Sequence, residues 1–545
     1  MTLKIAIGRT LAPIVLSVFM LGAAFFGGIA SGLAGTASHL YISLIAFTAA
    51  ISSQVDGLKG HPYEGYGAVK NALTRSVYGA VNADDDSYAR VFRDAPLLNA
   101  SLREASTVNT CSSNLVMHPE NDQGIIDFTR AAFWLFGINV TSLYYFFFVL
   151  IGVSALFFVG SLWRSYSACV LLFACMCAIY AFMPSVVYAD SQLISVANSR
   201  FLSTLAVIPL FNILLLLVRP DSRIGWLDLV ALVGQSALIA FAYASRGTAV
   251  WAVATVSLVF AVLLAKPVLR ALNARARTLP AQAATRCALM MVFAATLVGI
   301  SGVRSIYLTP PCGASLNAHP MWHNVFMGLS RSPTWNDTFA ADYDNAEGDS
   351  LSFVAAKKYA VAHHLPYRTE PTIWVETPQT LTMTDEPMPF GSWLVYEKVL
   401  RAAFIEFTLR HPGYVLKNFF IDKPLLFVRV VKDTISRMWN DLSWPAIAIV
   451  ATMLVLLAGL RGRQKEPDAL SYPVITTLVM ASFVVSAGPL ILIYPQSFLV
   501  ADPVYVAVAL LIFSAVWVLD GIFGLLRSRS ETSVTKRVAF SVAGR

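Results

Sequence analysis

Carboxylates and cations set beside apolar blocks are the residues of this chain that could do chemistry. Asp56 follows closely on the first hydrophobic block, and Asn82-Ala-Asp84-Asp85-Asp86-Ser-Tyr88-Ala-Arg90 adds an acidic run to the same segment. A carboxylate at a membrane surface can take a proton from an acceptor hydroxyl, or hold a divalent cation through hard oxygen ligands. Successive aspartates also make solvated turns and helix N-caps, so both readings stay open for Asp84, Asp85 and Asp86. Arg246, in Ala244-Ser245-Arg246-Gly247, sits in a hairpin too short to leave the membrane surface. Arg304 lies near the end of one apolar run and Arg200 near the start of another. A guanidinium grips phosphate oxygens in pairs, which makes a lipid-linked phosphate or pyrophosphate its natural partner. The alternative is a snorkelling side chain paired with a headgroup or a loop carboxylate.

Histidine and tryptophan offer a second constellation. His319-Pro-Met-Trp322-His323 puts two imidazoles at i and i+4, the spacing of metal ligands on one helical face. Pro320 disturbs a regular helix there, and no third ligand stands at a recognisable spacing, so a polar lining for a substrate cleft is the better reading. Trp322 could stack on a sugar face. Asp337, Asp342, Asp344, Glu347 and Asp349 form an acidic stretch without the EF-hand positions, which reads as an exposed loop. Glu406-Phe-Thr-Leu-Arg410-His411-Pro-Gly-Tyr414-Val-Leu-Lys417 mixes cations with apolar residues and, after Pro412, reads as an amphipathic helix on the membrane surface. Phosphate-binding glycine loops, serine-nucleophile elbows and Cys-x-x-Cys pairs are missing in any convincing setting. The metal, if any, is undetermined; a divalent cation is the cofactor these carboxylates would admit.

The elements that must position these groups follow from composition. Of 545 residues 57% are hydrophobic and only 13% charged, against about 25% charged in a soluble domain. Mean hydropathy is +0.63. A soluble enzyme and a disordered chain are both excluded, because a water-facing shell could not hide this much apolar surface. The expected fold is an all-α polytopic membrane protein with about ten transmembrane helices. The first span runs from Thr10 to about Leu33, and the others read as Ser142–Gly160, Ser167–Val187, Phe201–Val218, Trp226–Tyr243, Thr248–Ala265, Cys287–Tyr307, Trp444–Leu460, Tyr472–Tyr494 and Val504–Leu526.

Charge sets the expected orientation. Alternate short loops carry Arg164, then Arg219 and Arg223, then Lys266 through Arg286, then Arg461, Arg463 and Lys465, and a basic tail follows at 527–545. Positive-inside places these loops and both termini in the cytoplasm. Leu40–Ile51 is apolar but short; counted as a span it would invert every later loop, so it reads as interfacial. Residues 1–545 then form one membrane domain with two large periplasmic segments, 52–141 and 308–443. Cys111 and Cys312, one in each, could pair in an oxidising compartment. The net charge of +8 is topological. No basic stripe interleaved with aromatics points to nucleic acid.

This layout resembles the GT-C superfamily of integral membrane glycosyltransferases. A long outer segment with early carboxylates, Asp56 and Asp84 to Asp86, follows the first span. It closes with Asp127-Phe-Thr-Arg-Ala-Ala-Phe133-Trp-Leu-Phe136-Gly137, running into the second span, and a second outer segment with an interfacial helix comes near the C-terminal third. The resemblance implies transfer of a sugar from a polyprenyl-phosphate donor to a periplasmic glycan, lipid or protein acceptor, at a bacterial inner membrane. It implies a catalytic carboxylate in the first outer segment, either Asp56 or one of Asp84, Asp85 and Asp86. The chain departs from the family pattern in that the acidic pair is not at the immediate exit of the first span, and no oligosaccharyltransferase signature is present. Arg246 and Arg304 are the expected phosphate contacts, with His319, Trp322 and His323 lining the cleft. An O-antigen polymerase or ligase, using a glycan on polyprenyl pyrophosphate, would share this layout. A multi-span transporter would more often show internal repeats and polar residues at mid-bilayer.

Overall fold

The computed structural model of the chain describes residues 2–30, 123–136, 140–188, 199–219, 224–273, 280–307, 321–346, 348–365, 393–460, 470–493, 495 and 500–543. Among the described residues the fold is 91% helical and holds no strand. Hydrocarbon offers the backbone no hydrogen-bond partner, so an apolar run must satisfy its own N–H and C=O groups, and a helix does so within one segment. The helices in chain order are α1 Thr2–Ala30, α2 Gln123–Phe136, α3 Val140–Leu162, α4 Tyr166–Tyr188, α5 Val207–Val218, α6 Trp226–Ser245, α7 Val250–Asn273 and α8 Ala281–Tyr307. There follow α9 Met321–Met327, α10 Asp349–Ala362, α11 Trp393–Arg410, α12 Pro412–Lys417, α13 Lys423–Asp441, α14 Trp444–Leu460, α15 Tyr472–Leu492 and α16 Ala501–Ala543.

Among the described residues seven helices are long and apolar enough to cross a membrane: those carrying Leu11–Ile29, Ser142–Leu162, Trp226–Ser245, Gly247–Arg270, Ala281–Val303, Tyr472–Leu492 and Ala501–Leu526. The chain is therefore an all-α, multi-pass membrane protein. The other three expected spans fall on two shorter apolar helices, Tyr166–Phe182 and Ser203–Val218, and on α14, which meets the preceding helical stretch at 102°. Two boundaries differ instructively. The span expected from Phe201 begins with a helical turn at Ser199–Leu202 and a tighter 3-10 turn at Ser203–Ala206 before α5. The last helix does not stop near Leu526 but continues to Ala543, because no Pro or Gly interrupts residues 525 to 543.

Polar contacts sort the helix termini into two sets. At one end the Tyr144 hydroxyl donates to the carbonyls of Ala24 (3.1 Å) and Phe25, tying the finish of α1 to the start of α3. Gly28 is required at this crossing, since a Cβ there would lie 2.3 Å from the Tyr144 oxygen. At the opposite end Arg219 forks onto Asp228 (2.7 and 3.2 Å), and Arg286 donates to the Leu217 carbonyl (2.9 Å). Tyr166 donates there to Leu457 O (2.9 Å) and Tyr472 to Asp520 (2.7 Å). Such sorting requires successive helices within the α3–α8 run, and again within α14–α16, to run antiparallel to each other. The last turns of α1 therefore lie at the end of the bundle where α3 begins. Leu40–Ile51 itself lies outside the described residues.

The bundle packs on a core that includes Phe147, Phe173, Phe211, Trp251 and Tyr505, all but inaccessible. A separate cluster, with Phe326, Trp335, Tyr396, Leu400 and Phe407 buried at its centre, holds α9 to α12 together as a small helical module. It is tied internally where the Tyr414 hydroxyl and the Asn418 amide both donate to the Leu329 carbonyl, at 2.7 and 3.0 Å.

Candidate functional site

The site is built around the hairpin between α6 and α7. Ser245 closes α6, Arg246 breaks the helix with extended backbone (φ −154°, ψ 114°), and Gly247–Ala249 make one 3-10 turn before α7 begins. With so few residues between two spans, Arg246 cannot move away from the end of the bundle. Its guanidinium lies close enough to Asp502 for its charge to act on that carboxylate.

Asp502 is buried in the first turn of α16, where a negative charge complements the helix N-terminus. One of its oxygens accepts from the Ser203 hydroxyl at 2.6 Å and the other from the Trp251 indole N–H at 2.9 Å. Three segments distant in sequence, 203, 246–251 and 502, thus converge on one buried carboxylate. A buried charge needs such partners, because an unpaired one costs several kcal/mol, about 3–5 when a partner is removed.

Two further elements close on the same end. The start of α2 packs directly on the Arg246 hairpin: a Cβ on Gly124 would lie 2.4 Å from the Ser245 nitrogen and 2.6 Å from the Ala244 carbonyl carbon. Asp127 and Phe128 stand three and four residues later, on the same helical face. Phe128 is fully buried against Phe146 (5.1 Å between ring centroids) and Phe241 (6.4 Å), and Asp127 is half-buried. The α9–α12 module docks through Gly328, whose missing side chain lets its backbone meet the Ile493 carbonyl. Beside it the ammonium of Lys423, itself buried, donates to Ile493 O (2.9 Å) and Leu492 O (3.3 Å) and sits 3.9 Å over the Phe419 ring. These carbonyls end α15 and have no partner within that helix.

Inside the module, Glu397 accepts backbone N–H bonds from Trp322 (2.7 Å) and His323 (3.1 Å), capping the start of α9. Burial pushes the Glu397 carboxyl above its ordinary value, and these two N–H bonds offset part of that rise. The His323 ring nitrogen Nδ1 shares a 2.8 Å hydrogen bond with the Tyr396 hydroxyl, and the ring packs against Phe353. His323 is thus a buried member of the module core. Trp322 is half-buried, with its ring 5.5 Å from Phe404. The acidic stretch after Asn336 is held by Lys358, which donates to the Asp344 carboxylate (2.7 Å) and the Asp342 carbonyl. Asp344 and Asn345 there adopt left-handed backbone, as short polar residues at turns can.

Of the residues singled out from sequence, Arg246, Trp322 and His323 are placed by the structure, Arg246 at the bundle end and the other two in the module. Arg304 falls in the last turn of α8, with its side chain outside the described residues. Asp56, Asp84, Asp85, Asp86, His319, Cys111 and Cys312 also lie outside them. Among the described residues no group of three or more His, Cys, Asp or Glu side chains could hold a metal ion. Sequence reading missed Asp502, Ser203, Trp251 and Asp127. Ala501-Asp502-Pro503 was a legible signal for Asp502, since an acid followed by proline marks a helix start. No protein-family model, curated protein or solved structure matches this chain.

Proposed function

We propose that this chain is an integral membrane glycosyltransferase of the GT-C type, transferring a sugar from a polyprenyl-phosphate donor. The observation that carries the reading is convergence. Arg246, five residues before the Trp251 whose indole bonds buried Asp502, shares one end of the bundle with the closing helix of the first outer segment and with the docking edge of the α9–α12 module. In this reading that end faces the periplasm of a bacterial inner membrane. The end bearing Arg219, Arg286 and the C-terminal helix faces the cytoplasm, as the positive-inside distribution requires.

The reaction joins an acceptor hydroxyl to the sugar's anomeric carbon as the bond from that carbon to the phosphate oxygen breaks. The hydroxyl proton passes to a carboxylate of the first outer segment: Asp56, one of Asp84, Asp85 and Asp86, or Asp127, which α2 carries to the hairpin. The departing polyprenyl phosphate gains negative charge on its oxygen, and Arg246, with Arg304 as a second cation, stabilises it. Asp502 holds the neighbourhood of Arg246 in place through Trp251 and Ser203. Trp322, half-buried at the start of the module, offers an aromatic face to a sugar.

The test is donor choice in proteoliposomes. A labelled monosaccharide on polyprenyl phosphate should be transferred covalently to an acceptor added on the Arg246 side. Transfer only from a glycan on polyprenyl pyrophosphate would replace this reading with a polymerase or ligase. Movement of substrate across the bilayer without transfer would replace it with transport.

A further inference from the structure

A groove of about 260 Å³ lies between α4, the end of α13, α14 and α16, and its wall is almost wholly carbon. Its floor is fully covered, with Cys177 0% and Met438 3% exposed, while Trp439 (61%) and Leu511 (60%) stand open at the rim. Leu511 and the neighbouring wall residues belong to the membrane-crossing part of α16, so the mouth opens sideways toward hydrocarbon rather than toward water. At about 100° per residue, Val508, Leu511, Ile512 and Ala515 lie roughly 130° around α16 from Asp502. The groove therefore occupies a different face from the Arg246–Asp502 cluster, and its occupancy is independent of the proposed activity.

Helix α13 has the form of an interfacial element leading to this groove. Phe427, Val431, Thr434 and Met438 are its buried face. On one side of that face stand Val428, Trp439, Leu425 and Lys432, all exposed; on the other stand Arg429, Asp433, Arg437 and Asn440, also exposed. A helix with a packed face, an apolar flank and a polar flank fits one place, the boundary between acyl chains and headgroups. The 102° turn into α14 lays it across the direction of the spans. Trp439, at the groove rim, then sits where tryptophan collects in membranes. Lys432, two turns earlier on the same flank, reaches headgroup level by snorkelling.

We propose that the groove is a binding site for one acyl chain of a phospholipid in the leaflet on the Arg246 side, with the lipid's phosphate held near Lys432. Water has no polar partner in the groove, and an empty groove would forfeit dispersion contacts along both walls. A polyprenyl chain whose phosphate lies at Arg246 would enter from the other face of α16.

Photolabelling of the full chain in liposomes tests this. Phosphatidylglycerol carrying a diazirine on its acyl chain should mark Met438, Leu454 or Ile512 more heavily than Leu258 and Val262, which are simply exposed on α7. Ala451→Trp and Ala515→Trp, which fill the groove from opposite walls, should each bring groove labelling down to the Leu258 and Val262 level. Unchanged labelling on α7 would report intact folding. The proposal is overturned if wild-type labelling in the groove does not exceed that on α7, a comparison that needs no variant. Persistence of groove labelling in both filled variants, or labelling by a diazirine polyprenyl phosphate and not by the phospholipid, would also overturn it.

Discussion

Gly328→Ala is expected to loosen the helical module from the bundle. A Cβ at Gly328 would lie 1.7 Å from the Ile493 carbonyl oxygen, 2.9 Å from its carbon and 2.6 Å from the Lys423 ammonium. Side-chain carbons do not approach within 3.0 Å of such atoms, so the two backbones must part by at least 1.3 Å. The new Cβ also displaces the Lys423 ammonium, which breaks its 2.9 Å bond to Ile493. Losing a hydrogen bond to a charged group costs about 1.5–3 kcal/mol, and overpacking adds about 1–3 kcal/mol. The docking interface should weaken by about 2.5–6 kcal/mol, at the upper end of single-substitution effects. Gly413→Ala is the control: it lies in the same module, within α12, and its Cβ would meet nothing within 4 Å. That change should be neutral or slightly stabilising, because alanine favours helix by about 0.5–1 kcal/mol. Hydrogen exchange on the full chain in lipid nanodiscs reads the difference. Gly328→Ala should raise exchange across 321–331 and the end of α15, and Gly413→Ala should not. Equal exchange in the two variants would refute the claim that the Gly328–Ile493 contact anchors the module.

Other predictions concern the buried polar groups. Trp251→Phe removes one of two donors to Asp502 and should cost about 1.5–3 kcal/mol; combined with Asp502→Asn the loss should be less than additive in a double-mutant cycle of thermal unfolding. Glu397 has a folded-state pKa above its ordinary 4.5. Its contribution to module stability should therefore be fully present below pH 4.5 and be lost as pH rises through the elevated folded value. Exchange at 321–330 measured against pH should show that slope, and Glu397→Ala, which removes the titration, should abolish it while exposing the N–H groups of Trp322 and His323.

Much of the bundle was legible in the sequence because hydrocarbon imposes a length and a composition on each crossing helix. The charged short loops were legible for the same reason, and the ends they mark agree with the contacts of Arg219, Arg286 and Tyr472. The site was legible only in part. Arg246 stood out because a charge in a tight hairpin between two apolar runs is costly unless it is used. Asp502 did not, because its meaning depends on Ser203 and Trp251, separated from it by 299 and 251 positions, and no local pattern encodes such pairing. His323 shows another limit of local pattern. Its type and its spacing from His319 suggested a cleft, whereas its ring is held in the module core by Tyr396 and Phe353.

The most direct measurement of the central claim is sugar transfer from a labelled polyprenyl-phosphate donor in proteoliposomes, comparing wild type with Arg246→Ala, Asp56→Ala and Asp85→Ala. Loss of a group that stabilises the departing phosphate should lower the transfer rate of Arg246→Ala by about 10²–10³-fold. A carboxylate variant that removes the base itself should fall as far, with the protein still folded and inserted. Full transfer by all three variants would contradict the placement of the site, and absence of transfer by the wild type from any lipid-phosphate donor would contradict the proposed activity.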